Sequence, residues 1–189
     1  MSGAGLGGQK CRVAASLVAK VATTLGAMGE VRRASAADAA ELVRLRGVML
    51  ADISGRDPSG EEWRRAASET LRVRLAAPDP QLVAFVVEQP GGQGVLAACA
   101  VGAVETRLGG PDNPSGETGY VFNVATDPGH RRQGYSRQCM SALLDWYSDR
   151  GIKTVDLYAS PAGEPLYRSL GFSRKPDSAM RLRLPGTEH

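Results

Sequence analysis

The stretch Asn123-Val124-Ala125-Thr126-Asp127-Pro128-Gly129-His130-Arg131-Arg132-Gln133-Gly134-Tyr135-Ser136 carries the residues best suited to chemistry. It reads as an apolar strand, a turn set by Pro128-Gly129, a basic loop and the start of a helix. Amides at a helix N-terminus have no intrahelical acceptor, and the helix dipole favours an anion there. Gly134 removes a side chain where a phosphate would approach the backbone, and Ser136 is small to the same end. Arg131, Arg132 and Arg137 add positive charge. The chemistry on offer is therefore the holding of a phosphate. Cys99 and Cys139 lie on apolar faces, where a thiol usually behaves as a small buried hydrophobe.

The loop resembles the coenzyme A-binding signature of the GNAT superfamily of N-acetyltransferases. That signature reads Arg or Gln, two residues, Gly, one residue, then Gly or Ala. Here it is Arg131-x-x-Gly134-x-Ser136, with Ser in the last small position and Pro128 preceding it as in the family. A second stretch matches too. Family members carry an Asn after the next strand, then a Tyr seven residues on and a Gly-Phe pair. In this chain Ser160 takes the Asn position, followed by Tyr167-Arg168-Ser169-Leu170-Gly171-Phe172. The resemblance covers everything after residue 29.

The resemblance implies a mixed α/β (α+β) fold, with a mostly antiparallel twisted sheet flanked by helices and a splayed strand pair holding acyl-CoA. It implies an acyl-CoA-dependent N-acyltransferase that moves acetyl from acetyl-CoA to a primary amine by direct attack in a ternary complex. By position, the backbone of Val124, Ala125 and Thr126 would bind the pantetheine arm and polarise the thioester carbonyl. The pyrophosphate would lie on the amides of Arg132, Gln133, Gly134 and Tyr135, with Arg131, Ser136, Arg137 and Ser160 beside the coenzyme. Tyr167 would contact the coenzyme and protonate the leaving thiolate. Glu117 is the acid nearest in sequence to the expected acceptor site and the candidate base. Tyr120, Asn123 and His130 could instead hold a water, and water alone could serve. The alternative to an enzyme is a non-catalytic acyl-CoA sensor or regulatory module of the same fold; Tyr167 argues against it, because a sensor needs no acid. The acceptor, whether a small-molecule or peptide amine, is not readable from these residues.

The elements that must position these groups follow from the hydrophobic pattern. Glu30 to Ala34 is a strand candidate. Ser35-Ala36-Ala37-Asp38 has capping-box spacing, with Leu42, Leu45, Met49 and Ile53 at helical intervals behind it. Ser59 opens a second helix carrying Trp63, Ala67, Leu71 and Leu75, which Pro78 and Pro80 end. Leu82 to Glu88 and Val95 to Val104 form a hairpin around Pro90-Gly91-Gly92-Gln93-Gly94. Leu108 to Gly119 is a loop, and Tyr120 to Ala125 a strand. Gln133 to Arg150 is the strongest helix, with Tyr135, Cys139, Ala142, Leu143, Trp146 and Tyr147 on one face and Gly151 as its cap. Thr154 to Ala159 is a strand, Gly163 to Leu170 a short helix and Met180 to Leu184 a final strand.

Composition narrows the class. The chain has 189 residues, enough for one domain with a sizeable core, and 42% of them are hydrophobic. No apolar run reaches the roughly 18–20 residues of a membrane span. Three cysteines and two histidines support neither a disulfide framework nor a metal site, and a cytoplasmic home is expected. The net charge of +3 comes from Lys10, Arg12 and Lys20, so the chain from Glu30 onward is neutral. A nucleic-acid partner would need positive charge on the folded body. Monomer and homodimer both remain open. Arg-rich, Ala-rich and Gly-rich usage points to a bacterial source. Residues 1–29 form an N-terminal extension, flexible or partly helical; it reads as a tail, a targeting segment or a partner-binding or membrane-surface helix. Residues 30–189 form the acetyltransferase domain.

Overall fold

Ser35 does what its spacing requires. Its hydroxyl accepts the amide N–H of Ala37, and Asp38 accepts the Ser35 N–H in return, closing a capping box. A short 3-10 turn, Ala36–Asp38, then runs into helix α1, Ala39–Ser54. The computed structural model describes residues 29–176, 179–182 and 184, so the expectations for residues 1–28 lie outside the described residues. The chain divides into two compact units, Met1–Leu157 and Tyr158–His189.

Asp38 is buried and also takes a two-pronged contact from Arg32, which reaches Glu88 as well. The Arg32 hydrogen bond holds the Asp38 carboxyl below its ordinary range, against the opposing effect of burial. A depressed folded-state pKa contributes stability that is present above the unfolded carboxylate value, about 3.9, and is lost as pH falls through the folded value. Asp38→Ala is therefore expected to cost about 2–3 kcal/mol at pH 7. In urea unfolding the gap to the wild type should narrow steadily below about pH 4.

The first unit is built on a five-stranded sheet in the order β1-β2-β3-β4-β5. The strands are β1 (Val31–Arg33), β2 (Leu82–Glu88), β3 (Leu96–Thr106), β4 (Glu117–Thr126) and β5 (Val155–Leu157). The first four pair antiparallel and β5 joins β4 in parallel. Helix α2 is Glu61–Leu75 and α3 is Tyr135–Asp149. Helix α1 packs Leu42 and Leu45 into a core with Leu82, Val86, Cys99 and Val101. Helix α3 buries Tyr135, Cys139, Met140, Leu143 and Tyr147. Its end closes with Gly151 at φ 73°; the Gly151 and Ile152 amides bond to Ser148 and Tyr147. The αL residue is thus the glycine expected to cap it.

Four expectations shift. Gly60, not Ser59, is the N-cap of α2. Ile53 is 63% exposed, so the apolar face of α1 ends a turn early. Strand β4 starts at Glu117, taking in residues read as loop, because Glu117 to Gly119 find ladder partners in Val104 to Thr106. Among the described residues the final strand is not found: Met180, Arg181, Leu182 and Leu184 carry no strand pairing, and Met180 and Leu182 are 97% and 82% exposed. Alternation alone makes no strand without a ladder partner and a surface to cover.

The second unit contains helix α4, Glu164–Ser169, shorter at both ends than its pattern suggested. Glu164 is gripped by Arg174 and Arg168 at 2.8 Å each.

Candidate functional site

The centre of the site is a defect in β4. Val101 pairs with Asn123 but Gly102 pairs with Val121, which leaves Phe122 as an unpaired extra residue. Such a bulge re-aims side chains and bends the strand. Phe122 and Asn123, neighbours in sequence, both come to the α1/α2 side of the sheet. Beyond the bulge β4 also loses its other neighbour, since the parallel ladder to β5 runs only from Gly119 to Val121. Among the described residues, the backbone from Phe122 to Thr126 thus has a ladder partner on one side only, β3.

Tyr147 anchors this defect from the opposite face. Its hydroxyl lies 3.0 Å from the Ala103 carbonyl and 3.2 Å from that of Tyr120, two paired residues just before the bulge. Burial drives its pKa upward, which keeps the phenol protonated and donating. Gly102 and Gly119 make room: a Cβ on Gly102 would stand 2.2 Å from the Tyr147 oxygen. Sequence reading placed Tyr147 on the buried face of its helix but had no signal for this clamp.

The loop after β4 is built around Asp127. Its carboxylate accepts the Gly129 N–H and caps a 3-10 turn, Pro128–His130. Burial alone would raise the Asp127 pKa, but the Arg44 hydrogen bond and the Gly129 amide outweigh it and hold the pKa below its ordinary range. Arg44 of α1 is the strut. It reaches Asp127 at 2.7 Å, Glu41 at 3.0 Å and the Leu96 carbonyl at 2.7 Å. Arg44→Met would leave both carboxylates without their cation, each keeping only a backbone amide, Gly129 for Asp127 and Leu96 for Glu41, and should lower the unfolding free energy by about 2 kcal/mol. Calorimetry should read this as a midpoint drop of roughly 4–8 °C.

Arg132 has φ 65° and Gly134 φ 82°, so two residues of the loop are left-handed. For Arg132 that conformation is strained, and such strain persists where the surroundings impose it. Alternating backbone of this kind turns successive N–H groups toward one point, making an anion-binding concavity. Gly134 is the N-cap of α3, with no side chain capping the helix. The first intrahelical bond there is from the Gln138 N–H to the Gly134 carbonyl, leaving the amides of Tyr135 and Ser136 without an intrahelical acceptor. A Cβ on Gly134 would meet nothing within 4 Å, so the approach is open.

The side chains around this cradle divide their roles. Arg132, Gln133 and Arg137 are exposed. Arg131 is engaged elsewhere: it meets Asp52 of α1 at 2.8 Å and the Thr126 carbonyl, tying the loop to that helix. Tyr135 turns inward, buried at 4% exposure, so its amide alone can face a ligand. The Ser136 hydroxyl bonds to that of Thr126, joining the end of β4 to the first turn of α3. That bond gives the serine a use that Gly or Ala could not supply.

Glu117 stands apart from this cluster within the first unit. Glu117 heads β4, five residues before the bulge, or roughly 17 Å along an extended strand. Within the second unit, the Ser160 hydroxyl accepts the Gly163 N–H at the start of α4 and serves as a turn residue. Tyr167 packs edge-on against Phe172, ring centroids 6.0 Å apart. A side chain at Gly163 would crowd the Tyr167 ring. Burial raises the Tyr167 pKa, and its hydroxyl has no hydrogen-bond partner among the described residues. Cys99 and Cys139 are fully buried. Burial pushes the Cys99 thiol up to about 12, and that of Cys139 upward as well.

Among the described residues no group of three His, Cys, Asp or Glu side chains could hold a metal ion. No described helix is long and apolar enough to cross a membrane. Trp63 and Trp146 are each covered by an arginine, Arg64 and Arg150.

Known proteins share this architecture. The predicted acetyltransferase of Clostridium acetobutylicum, solved with acetyl-CoA, superposes with a TM-score of 0.71 at 25% identity, over 82% of this chain and 96% of that one. A GCN5-related N-acetyltransferase from Ralstonia eutropha superposes with a TM-score of 0.66 at 25% identity, over 81% and 97%. The [ribosomal protein bS18]-alanine N-acetyltransferase of Escherichia coli is 39% identical over 56 residues, 28% of this chain. The match spans only 38% of that relative's own length. The family model described as "Acetyltransferase (GNAT) family" matches residues 48–172, which take in the bulged strand, the anion cradle and Tyr167. The chain belongs to the GNAT acetyltransferase family.

Proposed function

We propose that this protein transfers acetyl from acetyl-CoA to a primary amine by direct attack in a ternary complex. The observation that carries the reading is the cradle at the start of α3, with left-handed Arg132 and Gly134 and the amides of Tyr135 and Ser136 at the open end of the helix. It suits a pyrophosphate. The one-sided backbone of Val124, Ala125 and Thr126 suits the amide-rich pantetheine arm, and one of its N–H groups suits the thioester oxygen as negative charge develops there.

In the reaction the amine lone pair attacks the thioester carbonyl, the C–S bond breaks and an amide forms. Tyr167 gives its proton to the departing thiolate. Its raised pKa keeps that proton in place at neutral pH. With Glu117 far along the strand, the ammonium proton goes to water. At an acceptor pKa near 10, about one molecule in a thousand is neutral at pH 7, so the rate should rise with pH until the acceptor is deprotonated. The buried thiols of Cys99 and Cys139 disfavour an acyl-cysteine route. Acetyl-CoA as co-substrate fits a cytoplasmic protein, acting as monomer or homodimer.

The test is release of free coenzyme A thiol from acetyl-CoA in the presence of an amine panel. Initial-rate plots against both substrates should intersect, as a ternary complex requires. Parallel lines would mean a covalent acyl-enzyme and would overturn direct attack.

A further inference from the structure

Helix α2 buries no residue fully, although Trp63, Ala67, Leu71 and Leu75 line its inner face. The reason lies beneath it. Between α1, α2 and the bulged end of β4 is an open cavity of about 210 Å³. Leu42, Leu71 and Phe122 supply much of its apolar wall. Its polar groups are few: Arg46 from α1, Arg74 and Thr70 from α2, and Asn123 from the bulge.

Three features of this lining define what it can hold. First, Arg46 and Arg74 make no ion pair or hydrogen bond among the described residues. Two guanidinium groups facing one cavity, with no acid in its lining, repel a polycation and attract an anionic oxygen group in paired geometry. Second, Asn123 is 2% exposed, its amide nitrogen lies 3.4 Å from the Cys99 sulfur, and its Oδ1 has no partner among the described residues. A buried acceptor left unpaired is costly, and an N–H from a ligand would satisfy it. Third, the volume falls below the roughly 300–1,000 Å³ of drug-sized ligand sites.

We propose that the acyl acceptor is a free amino acid with an apolar side chain. Its carboxylate is held by Arg46 and Arg74, its side chain lies against Leu42, Leu71 and Phe122, and its amine is directed by Asn123 toward the one-sided edge of β4. This inference rests on the acyltransfer reading above and names the substrate of that site. Amine and carboxylate are claimed from opposite walls, so an amidated amino acid or a polyamine loses half of its recognition.

Turnover is measured by thiol release with glycine, alanine, valine and leucine, with leucinamide, with phosphoethanolamine and with spermidine. Leucine is expected to exceed leucinamide, phosphoethanolamine and spermidine at least tenfold in kcat/KM. Each added methylene from glycine to leucine should gain up to about fourfold. Arg46→Gln and Arg74→Gln, at half-exposed and exposed positions, should raise the KM for leucine roughly 10- to 100-fold. They should leave the KM for leucinamide and for acetyl-CoA unchanged, and Arg46→Lys should recover part of the loss. Equal or better use of leucinamide, phosphoethanolamine or spermidine would overturn the proposal, as would leucine left unused while acetyl-CoA still stabilises the protein. If acetyl-CoA fails to stabilise it, the acyltransfer reading falls. Calorimetry with N-acetyl-leucine then judges the cavity alone: binding weakened in the double Gln variant supports the carboxylate site, and no binding refutes it.

Discussion

Gly134→Glu is expected to fold and then to melt at the same temperature with or without acetyl-CoA. Gly134 sits at φ 82° with open space where a Cβ would go. A glutamate there meets no neighbour, and its cost is the left-handed backbone, about 1–2 kcal/mol. Its carboxylate lies at a helix N-terminus, which returns roughly 0.3–1 kcal/mol. The variant should thus lose little stability. What it loses is the site, because a fixed negative charge occupies the place where the pyrophosphate must lie. For the wild type, acetyl-CoA at a hundred times its dissociation constant adds about 2.7 kcal/mol. That moves the midpoint by roughly 5–10 °C in a protein of this size. A wild-type shift that persists in Gly134→Glu would mean the coenzyme binds elsewhere. No wild-type shift at all would mean the cradle holds no coenzyme.

Tyr167→Phe is expected to lower kcat by about 10²-fold or more while the KM for acetyl-CoA stays within a few-fold. The ring packs against Phe172 in either case, so the substitution removes a hydroxyl without opening a cavity. The pH profile separates an acid from a packing residue. Burial raises the Tyr167 pKa above its ordinary value near 10. The phenol is protonated below that raised value and loses its proton above it, so the wild-type rate should fall only on the alkaline side of pH 10. That fall should disappear in the Phe variant, while the rise with acceptor deprotonation remains in both. A Phe variant with unchanged kcat would remove Tyr167 from the mechanism and leave it beneath the coenzyme as a support.

Local signals in the sequence were enough for the elements and for the cradle. Ser35 and Asp38, Pro128 and Gly129, Gly134 and Gly151 each act within a few residues of themselves, through a cap, a turn or a left-handed backbone, and each acts as its type predicts. The long helix and the hairpin followed from apolar periodicity for the same reason. Non-local contacts were illegible. The bulge at Phe122 exists because two strands fall out of register, and nothing in β4 alone marks the extra residue. Gly102 in its strand and Gly119 at the end of a loop read as ordinary glycines until Tyr147 is found above both. Glu117 looked close to the acceptor site when distance was counted along the chain, but an extended strand carries it away. Arg131 looked like a phosphate ligand until Asp52, far off in sequence, claimed it. The apolar alternation of Met180, Leu182 and Leu184 resembled a strand, yet a strand exists only where another edge accepts its hydrogen bonds. The sequence by itself determined the family, the order of elements and the glycine at the start of the long helix, because these depend on backbone preference and short spacings. The tertiary structure alone decided the bulge, the tyrosine clamp and the arginine-lined cavity, because each depends on which distant residues the packing of helices on the sheet brings together.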